Sequence, residues 1–238
     1  MSELNTISII IPAYNEQNTI AELIQRLANI KLTVFKEVII VNDGSIDNTE
    51  KNILAATQAY TADSTQSLVY LKKENGGKGS ALKLGYQHSK GDILFCLDAD
   101  LELYPEDIPS LLNAFLEDRN IKVVYGSRIL GKNGRNATVF YFGGRMVSLF
   151  TSILFNCTIT DQPTGFKIFH KELLPILLGS QYGGFEWEAE ITAKVLKAGY
   201  TIKEVPVRYS PRTVGKKLRW KDGIKIVWIL LKYRIVNT

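Results

Sequence analysis

Two aspartates, Asp98 and Asp100, flank a single alanine directly after an apolar run. Because successive residues of an extended chain point to opposite sides, both carboxylates project the same way, away from Ala99. Carboxylates at this spacing repel each other unless a proton or a cation lies between them. Mg²⁺ and Mn²⁺ favour such oxygen ligands and would bridge them to a diphosphate. The pair predicts a divalent metal site; the alternative is a helix N-cap before Pro105.

Three further polar clusters follow apolar runs in the same way. In an open parallel sheet, ligands bind outside the carboxyl ends of the strands. We therefore expect all four clusters to lie along one rim of the sheet. The three further clusters are PAYNE at 12–16, NDGS at 42–45 and ENGGKG at 74–79.

Two residues in these clusters each have two interpretations from the sequence. Asp43 belongs either to a turn that leads into a helix N-cap or to a pocket in which it accepts hydrogen bonds from a nucleobase or ribose. Lys78 either meets a phosphate near a helix N-terminus or lies in a plain flexible loop. The phosphate-loop motif fails here, because Lys72 and Gly79 stand where it needs Gly and Ser or Thr.

The positions of the clusters depend on alternating strands and helices. Continuous apolar runs predict strands at 7–11, 38–41, 68–71, 93–97 and 123–125. Helical spacing or helix-start signals predict helices at 16–30, 48–59, 79–87 and 105–116. This alternation indicates βαβ units in an open, mostly parallel α/β sheet flanked by helices.

The second half of the chain is less regular. We predict helices at 140–155, 186–197 and 220–235, a short strand at 165–169, and an edge strand at 202–209 interrupted by Pro206. No composition shift marks a linker, so residues 1–238 are expected to form one domain.

The net charge of +5 is unevenly distributed: residues 201–238 hold ten Lys or Arg against two acids. This basic end either binds an anionic partner or is simply exposed to solvent.

The start of the chain does not resemble a signal peptide, and no apolar run reaches the roughly 18–20 residues of a membrane span. We therefore expect a cytoplasmic protein. Apolar residues 146–155 slightly favour core packing, whereas 224–236, interrupted by cations, favour a basic amphipathic helix at a membrane surface.

Taken in order, IIIPAYNE at 9–16, VNDGS at 41–45, NGGKG at 75–79 and LDADL at 97–101 resemble family 2 glycosyltransferases with the GT-A fold, a Rossmann-like sheet. The later segments GSR at 126–128, DQPTGFK at 161–167 and EVPV at 204–207 are similar to the branch that acts on dolichyl or polyprenyl phosphate. The resemblance extends from Ile7 to about Arg234.

The resemblance implies a role for each matching residue in binding the nucleotide sugar. Asp98 and Asp100, with Ala99 between them, would hold the metal and the donor diphosphate. Glu102 would lie close to the metal or the sugar. The nucleoside pocket and its surroundings would be formed by Pro12, Tyr14, Glu16, Asp43, Lys78 and Gly79.

Basic residues in the second half receive roles by the same resemblance. Arg128 and Arg145 would contact the acceptor phosphate or the donor diphosphate during catalysis. The segment that closes over the donor would include Lys216, Lys217 and Arg219. The chain departs from the family pattern at two places, with Asn42 where Asp is common and Glu102 where Gln is frequent.

The implied activity is an inverting transfer of mannose or glucose from a GDP- or UDP-sugar to polyprenyl or dolichyl phosphate. The protein would bind peripherally to an anionic membrane surface, with no nucleic-acid partner. Residues 1–125 would bind the donor, 126–200 the acceptor, and 201–238 would face the membrane.

Two alternatives stay open at this point, besides a nucleic-acid binder, which the basic end permits but no recognised motif supports. A saccharide or another hydroxyl acceptor would require a general base, for which Asp161, Glu186 and Glu188 are candidates. A non-catalytic nucleotide-sugar-binding module at the membrane is the second alternative.

Overall fold

The computed structural model describes residues 4–60, 62–131, 139–212 and 220–235. The described residues form a seven-stranded sheet of β1 (Thr6–Ala13), β2 (Phe35–Asp43), β3 (Gln66–Lys73), β4 (Ile93–Cys96), β5 (Val123–Ser127), β6 (Lys167–His170) and β7 (Ile202–Pro206). The strand order is β3-β2-β1-β4-β6-β5-β7. Within this sheet six strands run parallel, and β6 is antiparallel to both of its neighbours. The predicted α/β class is confirmed.

Helices cover both faces of the sheet. Their bounds are α1 Ile20–Asn29, α2 Thr49–Ala59, α3 Lys78–His88, α4 Ile108–Leu116, α5 Val139–Phe155, α6 Leu174–Leu178, α7 Trp187–Lys197 and α8 Trp220–Ile235. Every helix predicted from the sequence is present. The sequence did not predict α6, because five residues are too few to show a helical period.

The central strands are apolar on both sides because both sides are buried. In β1, Ile9 and Ile11 pack in the cluster that includes α1 and α4, whereas Ile10 packs in the cluster that includes α3 and α7. All three side chains have no solvent exposure. Burial on both faces is why these strands appear as continuous apolar runs rather than alternating ones.

The reversal of β6 has a direct effect on the candidate site. An antiparallel strand begins at the rim where its parallel neighbours end. The segment before β6 therefore reaches the end of β4, and Gly165 lies against Asp98. A Cβ atom at Gly165 would lie 2.2 Å from Asp98 Oδ2, so only glycine fits at this approach.

A buried lysine closes the C-terminal end of α1. Lys36 in β2 is 2% exposed, and its ammonium donates hydrogen bonds to the carbonyls of Leu27 and, at 2.7 Å, Ile30. The last carbonyls of a helix have no N–H partner four residues on within the helix, and a cation near them interacts favourably with the helix dipole. The Leu27 carbonyl also accepts the N–H of Ile30 at 3.2 Å. Burial lowers the pKa of Lys36 from 10.5 to about 8.

No helix in the described segments combines the length and apolarity that a bilayer crossing requires.

Replacing Lys36 with Met should lower the free energy of unfolding by about 1–3 kcal/mol, because the helix-end carbonyls lose their buried donor. Lys51→Met, at an exposed position in α2, is the matched control and should change stability little. Urea denaturation of the three proteins measures both effects.

The same lysine predicts a pH dependence. Between pH 8 and 10.5 the unfolded chain keeps the Lys36 proton that the folded chain has released, so stability rises with pH through this residue. The wild type should therefore gain stability relative to Lys36→Met as the pH is raised from 8 to 10.5. A constant difference across that range would contradict the predicted protonation change.

Candidate active site

A cleft of about 260 Å³ opens at the rim where the parallel strands end. All four polar clusters predicted from the sequence contribute to its lining, which confirms that they share one rim. The lining residues are Pro12, Ala13, Tyr14, Glu16, Asp43, Asn75, Gly77, Lys78, Asp98, Ala99, Asp100, Phe185 and Arg212.

Asp43 tethers the glycine-rich loop to the end of β2. Its carboxylate accepts hydrogen bonds from the backbone N–H groups of Gly76 at 3.0 Å and Gly77 at 2.7 Å, and from the ammonium of Lys73 at 2.8 Å. The hydrogen bonds at the start of α2 are instead made by Asp47, which accepts the Thr49 N–H at 2.9 Å. Asp43 thus shapes the cleft as well as lining it, and its contact with a nucleoside stays a prediction.

The loop that carries Lys78 is packed tightly, which contradicts the interpretation as a plain flexible loop. Gly77 has a φ of +88°, a conformation that side chains disfavour. A Cβ at Gly79 would lie 2.5 Å from the Tyr182 carbonyl oxygen and 2.7 Å from Trp187 Cβ. The glycines therefore let the first turn of α3 pack directly against residues 182–187.

Lys78 is the first residue of α3, and its ammonium lies between two carboxylates. Its Nζ atom is 2.6 Å from Asp98 Oδ1 and 2.6 Å from Glu188 Oε1. Burial by itself would lower the pKa of Lys78, but Asp98 and Glu188 raise that pKa well above its ordinary value. Lys78 is therefore a fixed positive charge at the wall of the cleft.

The two aspartates of the acidic pair are in different electrostatic environments. Burial acts to raise the pKa of Asp98, but Lys78, together with Lys167 and Arg128, outweighs burial and lowers that pKa. The pKa of Asp100 is raised to about 6 by burial and by repulsion from Asp98 and Glu102. The nearest guanidinium nitrogen, Arg212 Nη2, lies 3.7 Å from Asp100 Oδ2. Negative charge is therefore in excess at Asp100.

This excess of negative charge fits a divalent cation, which would relieve the repulsion and the cost of burial. In the part of the chain that the structure describes, no three His, Cys, Asp or Glu side chains surround a common metal position. The fitting arrangement is the one usual for Mg²⁺, with one or two carboxylates and substrate phosphates as ligands. Asp98 and Asp100 would supply the carboxylates.

Glu102 links the acidic pair to the segment that follows β7. Its carboxylate accepts hydrogen bonds from the Tyr209 hydroxyl at 3.1 Å and the Arg212 N–H at 3.0 Å. Its own N–H donates to Asp100 Oδ1 at 3.1 Å. Each carboxylate oxygen of Glu102 thus already accepts one hydrogen bond. The role of Glu102 as a metal ligand stays a prediction.

Arg212 is a cleft residue that sequence reasoning missed. Its guanidinium lies 3.2 Å from both carboxylate oxygens of Glu16 and 3.8 Å from Glu102 Oε1. In the sequence it is one cation among ten in the C-terminal segment. Its partners lie as many as 196 positions away, so no local pattern could have singled it out.

Arg128 forms a partly buried two-pronged ion pair with Asp161. The Nε and Nη2 atoms of Arg128 each lie 2.7 Å from a carboxylate oxygen of Asp161, and the Arg128 N–H donates to the same group at 2.8 Å. Burial would lower the pKa of Arg128, but Asp161 raises it above its usual range. Asp161 is thereby committed to a permanent cation, which disfavours it as a general base.

Two other predicted residues, Arg145 and Gly79, are not among the residues that line the cleft. Arg145 is exposed on α5 and has no hydrogen bond or ion pair with the described residues. Gly79 is buried behind the lining, where it allows α3 to approach Trp187. Lys216, Lys217 and Arg219 lie outside the described residues.

A family model described as glycosyl transferase family 2 matches residues 8–175. The dolichyl-phosphate beta-glucosyltransferase ALG5A of Trichomonas vaginalis is 27% identical over 247 residues, which cover 97% of this chain and 73% of that protein.

Solved structures of glucosyl-3-phosphoglycerate synthase from Mycobacterium tuberculosis share the fold. The complex with uridine diphosphate superposes with a TM-score of 0.72 at 21% identity and covers 98% of this chain and 82% of that one. The complex with Mg²⁺ and uridine diphosphate gives 0.73 at 19% identity, covering 98% and 81%. The predicted GT-A fold is confirmed by this likeness.

The family model spans most of the chain and includes the four polar clusters of the cleft. The fold and the shared rim, both predicted from the sequence, are present in the structure. The chain belongs to glycosyl transferase family 2.

Proposed function

We propose that this protein transfers a hexose, glucose or mannose, from a UDP- or GDP-sugar to polyprenyl or dolichyl phosphate, with inversion and with Mg²⁺ or Mn²⁺. It would act while bound peripherally to the cytoplasmic face of an anionic membrane. Residues 1–125 would bind the donor and residues 126–200 the acceptor. The relative named as a dolichyl-phosphate beta-glucosyltransferase supports the acceptor class. The neighbours crystallised with uridine diphosphate and Mn²⁺ or Mg²⁺ support the donor and the metal.

The observation that carries this proposal is an apolar surface on two neighbouring helices. Helices α5 and α8 share a buried cluster in which Phe150 and Leu154 pack near Ile229 and Tyr233. Each helix also exposes a row of large apolar side chains at helical spacing. We call these the two exposed rows: Phe142, Met146, Leu149 and Ile153 on α5, and Ile224, Trp228, Leu231 and Ile235 on α8.

The exposure on α5 corrects one interpretation from the sequence, in which residues 146–155 favoured the core. Ser148 and Thr151 are buried, but Ile153 is 73% exposed. A helix can bury one face and expose an equally apolar one, which the composition of the run does not reveal. The predicted helix at the C-terminal end is present as α8, and its contact with a membrane stays a prediction.

The two exposed rows have the properties of a membrane-binding surface. Apolar patches of this kind on a folded chain commonly mark binding to a protein or a membrane. Lys225, Lys232 and Arg234 accompany the row on α8, and Arg145 is exposed on α5. Cations beside apolar side chains favour the boundary of an anionic bilayer.

Short contacts join helices α5 and α8 to residues near the cleft. On α5, Ser148 Oγ accepts the N–H of Gln162, which follows the Asp161 partner of Arg128. On α8, Lys225 lies 3.3 Å from Glu186, the neighbour of the cleft residue Phe185. A lipid phosphate at the membrane surface would therefore approach the rim from this side.

A phosphate acceptor also agrees with the chemistry of the nearby acids. A hydroxyl acceptor needs a general base, whereas a phosphate oxygen is already anionic. Of the three candidate bases, Asp161 is paired with Arg128, and Glu188 is paired with both Lys78 and Lys167. Glu186, paired with Lys225, is the candidate that a hydroxyl acceptor would favour.

In the proposed reaction the acceptor oxygen attacks the anomeric carbon from the side opposite the diphosphate. A bound divalent ion would stabilise the charge that develops on the departing diphosphate. Asp98 and Asp100 would hold that ion, and Lys78 would add a positive charge at the same wall of the cleft. The glycine-rich loop, tethered by Asp43, would keep this wall rigid.

The function is tested by incubating the purified protein with UDP-glucose, GDP-mannose and other nucleotide sugars, Mg²⁺ or Mn²⁺, and polyprenyl phosphate. We expect a polyprenyl phosphate hexose, identified by its mass. Transfer to a soluble sugar acceptor but not to the lipid would favour a hydroxyl acceptor. Absence of any nucleoside diphosphate release with every donor would favour the non-catalytic module.

Replacing Asp100 with Ala should reduce transfer at least about 100-fold, because stabilisation of the leaving group by a metal is worth several kcal/mol. Asp118→Ala, at an exposed acid outside the cleft, is the matched control and should keep wild-type activity. Initial rates at saturating metal measure the difference. Undiminished transfer by the Asp100 variant would refute its role at the metal.

The double variant Met146→Glu and Ile153→Glu should lose binding to anionic vesicles in a flotation assay. Burial of a large apolar side chain contributes roughly 1.5–3 kcal/mol, so removing two should lower partitioning at least about tenfold. Leu54→Glu on α2, also an exposed apolar residue, is the control and should float like the wild type. Wild-type binding should weaken with added salt. Equal flotation of the double variant would remove the proposed surface.

A further inference from the structure

Four charged side chains alternate in sign from the cleft into the interior. Asp98 pairs with Lys78, with 2.6 Å between Oδ1 and Nζ, and Lys78 pairs with Glu188 over 2.6 Å. Glu188 in turn pairs with Lys167. We call Asp98, Lys78, Glu188 and Lys167 the charge row.

The charge row becomes more buried with distance from the cleft. The side chain of Asp98 is 29% exposed, that of Glu188 6%, and that of Lys167 is fully buried. Lys167 also donates a hydrogen bond to the carbonyl of Thr164 and lies 4.8 Å from the centre of the Tyr125 ring. Buried charges are tolerated when each has partners of opposite sign, and here two positive charges balance two negative ones.

The members of the charge row come from four different elements. Asp98 follows β4, Lys78 begins α3, Lys167 begins β6 and Glu188 lies in the first turn of α7. Glu188 contacts the cleft residue Lys78 but is not itself among the residues that line the cleft. Its influence on the cleft therefore passes through the ammonium of Lys78.

We propose that Glu188 is a positioning residue for the metal, acting by holding Lys78 between two carboxylates so that Asp98 stays available to a divalent cation. This inference rests on the proposed metal-dependent transfer. Glu188 and Asp98 compete for the same ammonium. A Lys78 side chain shared between them neutralises Asp98 less than a Lys78 side chain that binds Asp98 alone.

The proposal predicts opposite effects for substitutions at Glu188 and at Lys167. In Glu188→Gln, Asp98 is the remaining carboxylate of the charge row, beside two lysines. Lys78 then pairs with Asp98 alone, so the divalent cation binds more weakly. Lys167→Met leaves the acids in excess, so the site becomes more negative and the cation binds more tightly. Interactions between charges this close and this buried are large enough to change affinity about tenfold.

A purely structural role for Glu188 predicts a different pattern. Damage to packing by either substitution would weaken metal binding in both variants. The double variant Glu188→Gln with Lys167→Met restores the balance of one positive and one negative charge. If charge is the cause, its affinity should lie between those of Glu188→Gln and the wild type, because the charge of Lys167 is removed while Lys78 still binds Asp98 alone.

The experiment measures Mn²⁺ binding to the full chain by the electron paramagnetic resonance signal of free Mn²⁺, with saturating UDP and separately with GDP. Glu188→Gln is expected to weaken binding about tenfold and Lys167→Met to tighten it. Glu190→Gln is the matched control, because Glu190 is a fully buried acid in the same helix that pairs with Lys194 and Tyr233 instead. This control should bind Mn²⁺ like the wild type.

A thermal melt of each variant establishes that it is folded. Should Glu188→Gln fail to fold, Glu188→Asp tests the same point, because it keeps the charge but shortens its reach and should weaken binding by a smaller factor. Unchanged affinity in the Glu188 variants, or weaker binding in the Lys167 variant as well, overturns the inference. A wild-type protein that binds no Mn²⁺ with either nucleotide would instead refute the metal in the proposed function.

Discussion

The rim of this fold is organised around negative charge that is concentrated at the end of β4 and partly buried. Asp98 and Asp100 project together, Glu102 lies next to them, and the pKa of Asp100 is raised to about 6 as a result. Charges of one sign cannot be buried together without compensation. The surrounding structure supplies part of this compensating positive charge through Lys78, which pairs with Asp98, and Arg212, which lies near Asp100.

The same constraint explains the positions of several glycines. Gly165 lies so close to Asp98 that a side chain would collide with the carboxylate. Gly79 lets α3 approach Trp187, and this approach places Lys78 between Asp98 and Glu188. Asp43 then holds the glycine-rich loop through two backbone N–H groups. The glycine-rich side of the cleft is therefore tightly packed and held by backbone hydrogen bonds.

The proposed membrane surface is joined to this rigid cleft through buried polar contacts. Helix α8 is attached to α7 by the hydrogen bond from the Tyr233 hydroxyl to Glu190, which also accepts the N–H groups of Gln181 and Tyr182. The carbonyl of Tyr182 lies against Gly79 at the start of α3. The proposed membrane surface and the glycine-rich loop of the cleft are thus parts of one packed unit.

The sequence by itself determined the α/β class, the order and approximate location of most helices and strands, and the shared rim of the four polar clusters. These follow from local periodicity and from the rule that parallel strands end at the same edge, so neither needs knowledge of side-chain contacts. Only the tertiary structure decided that β6 is antiparallel, that Arg212 reaches Glu16, and that Glu188 lies behind Lys78. Those contacts join residues far apart in the chain, and their geometry depends on how the elements pack, which no local pattern records.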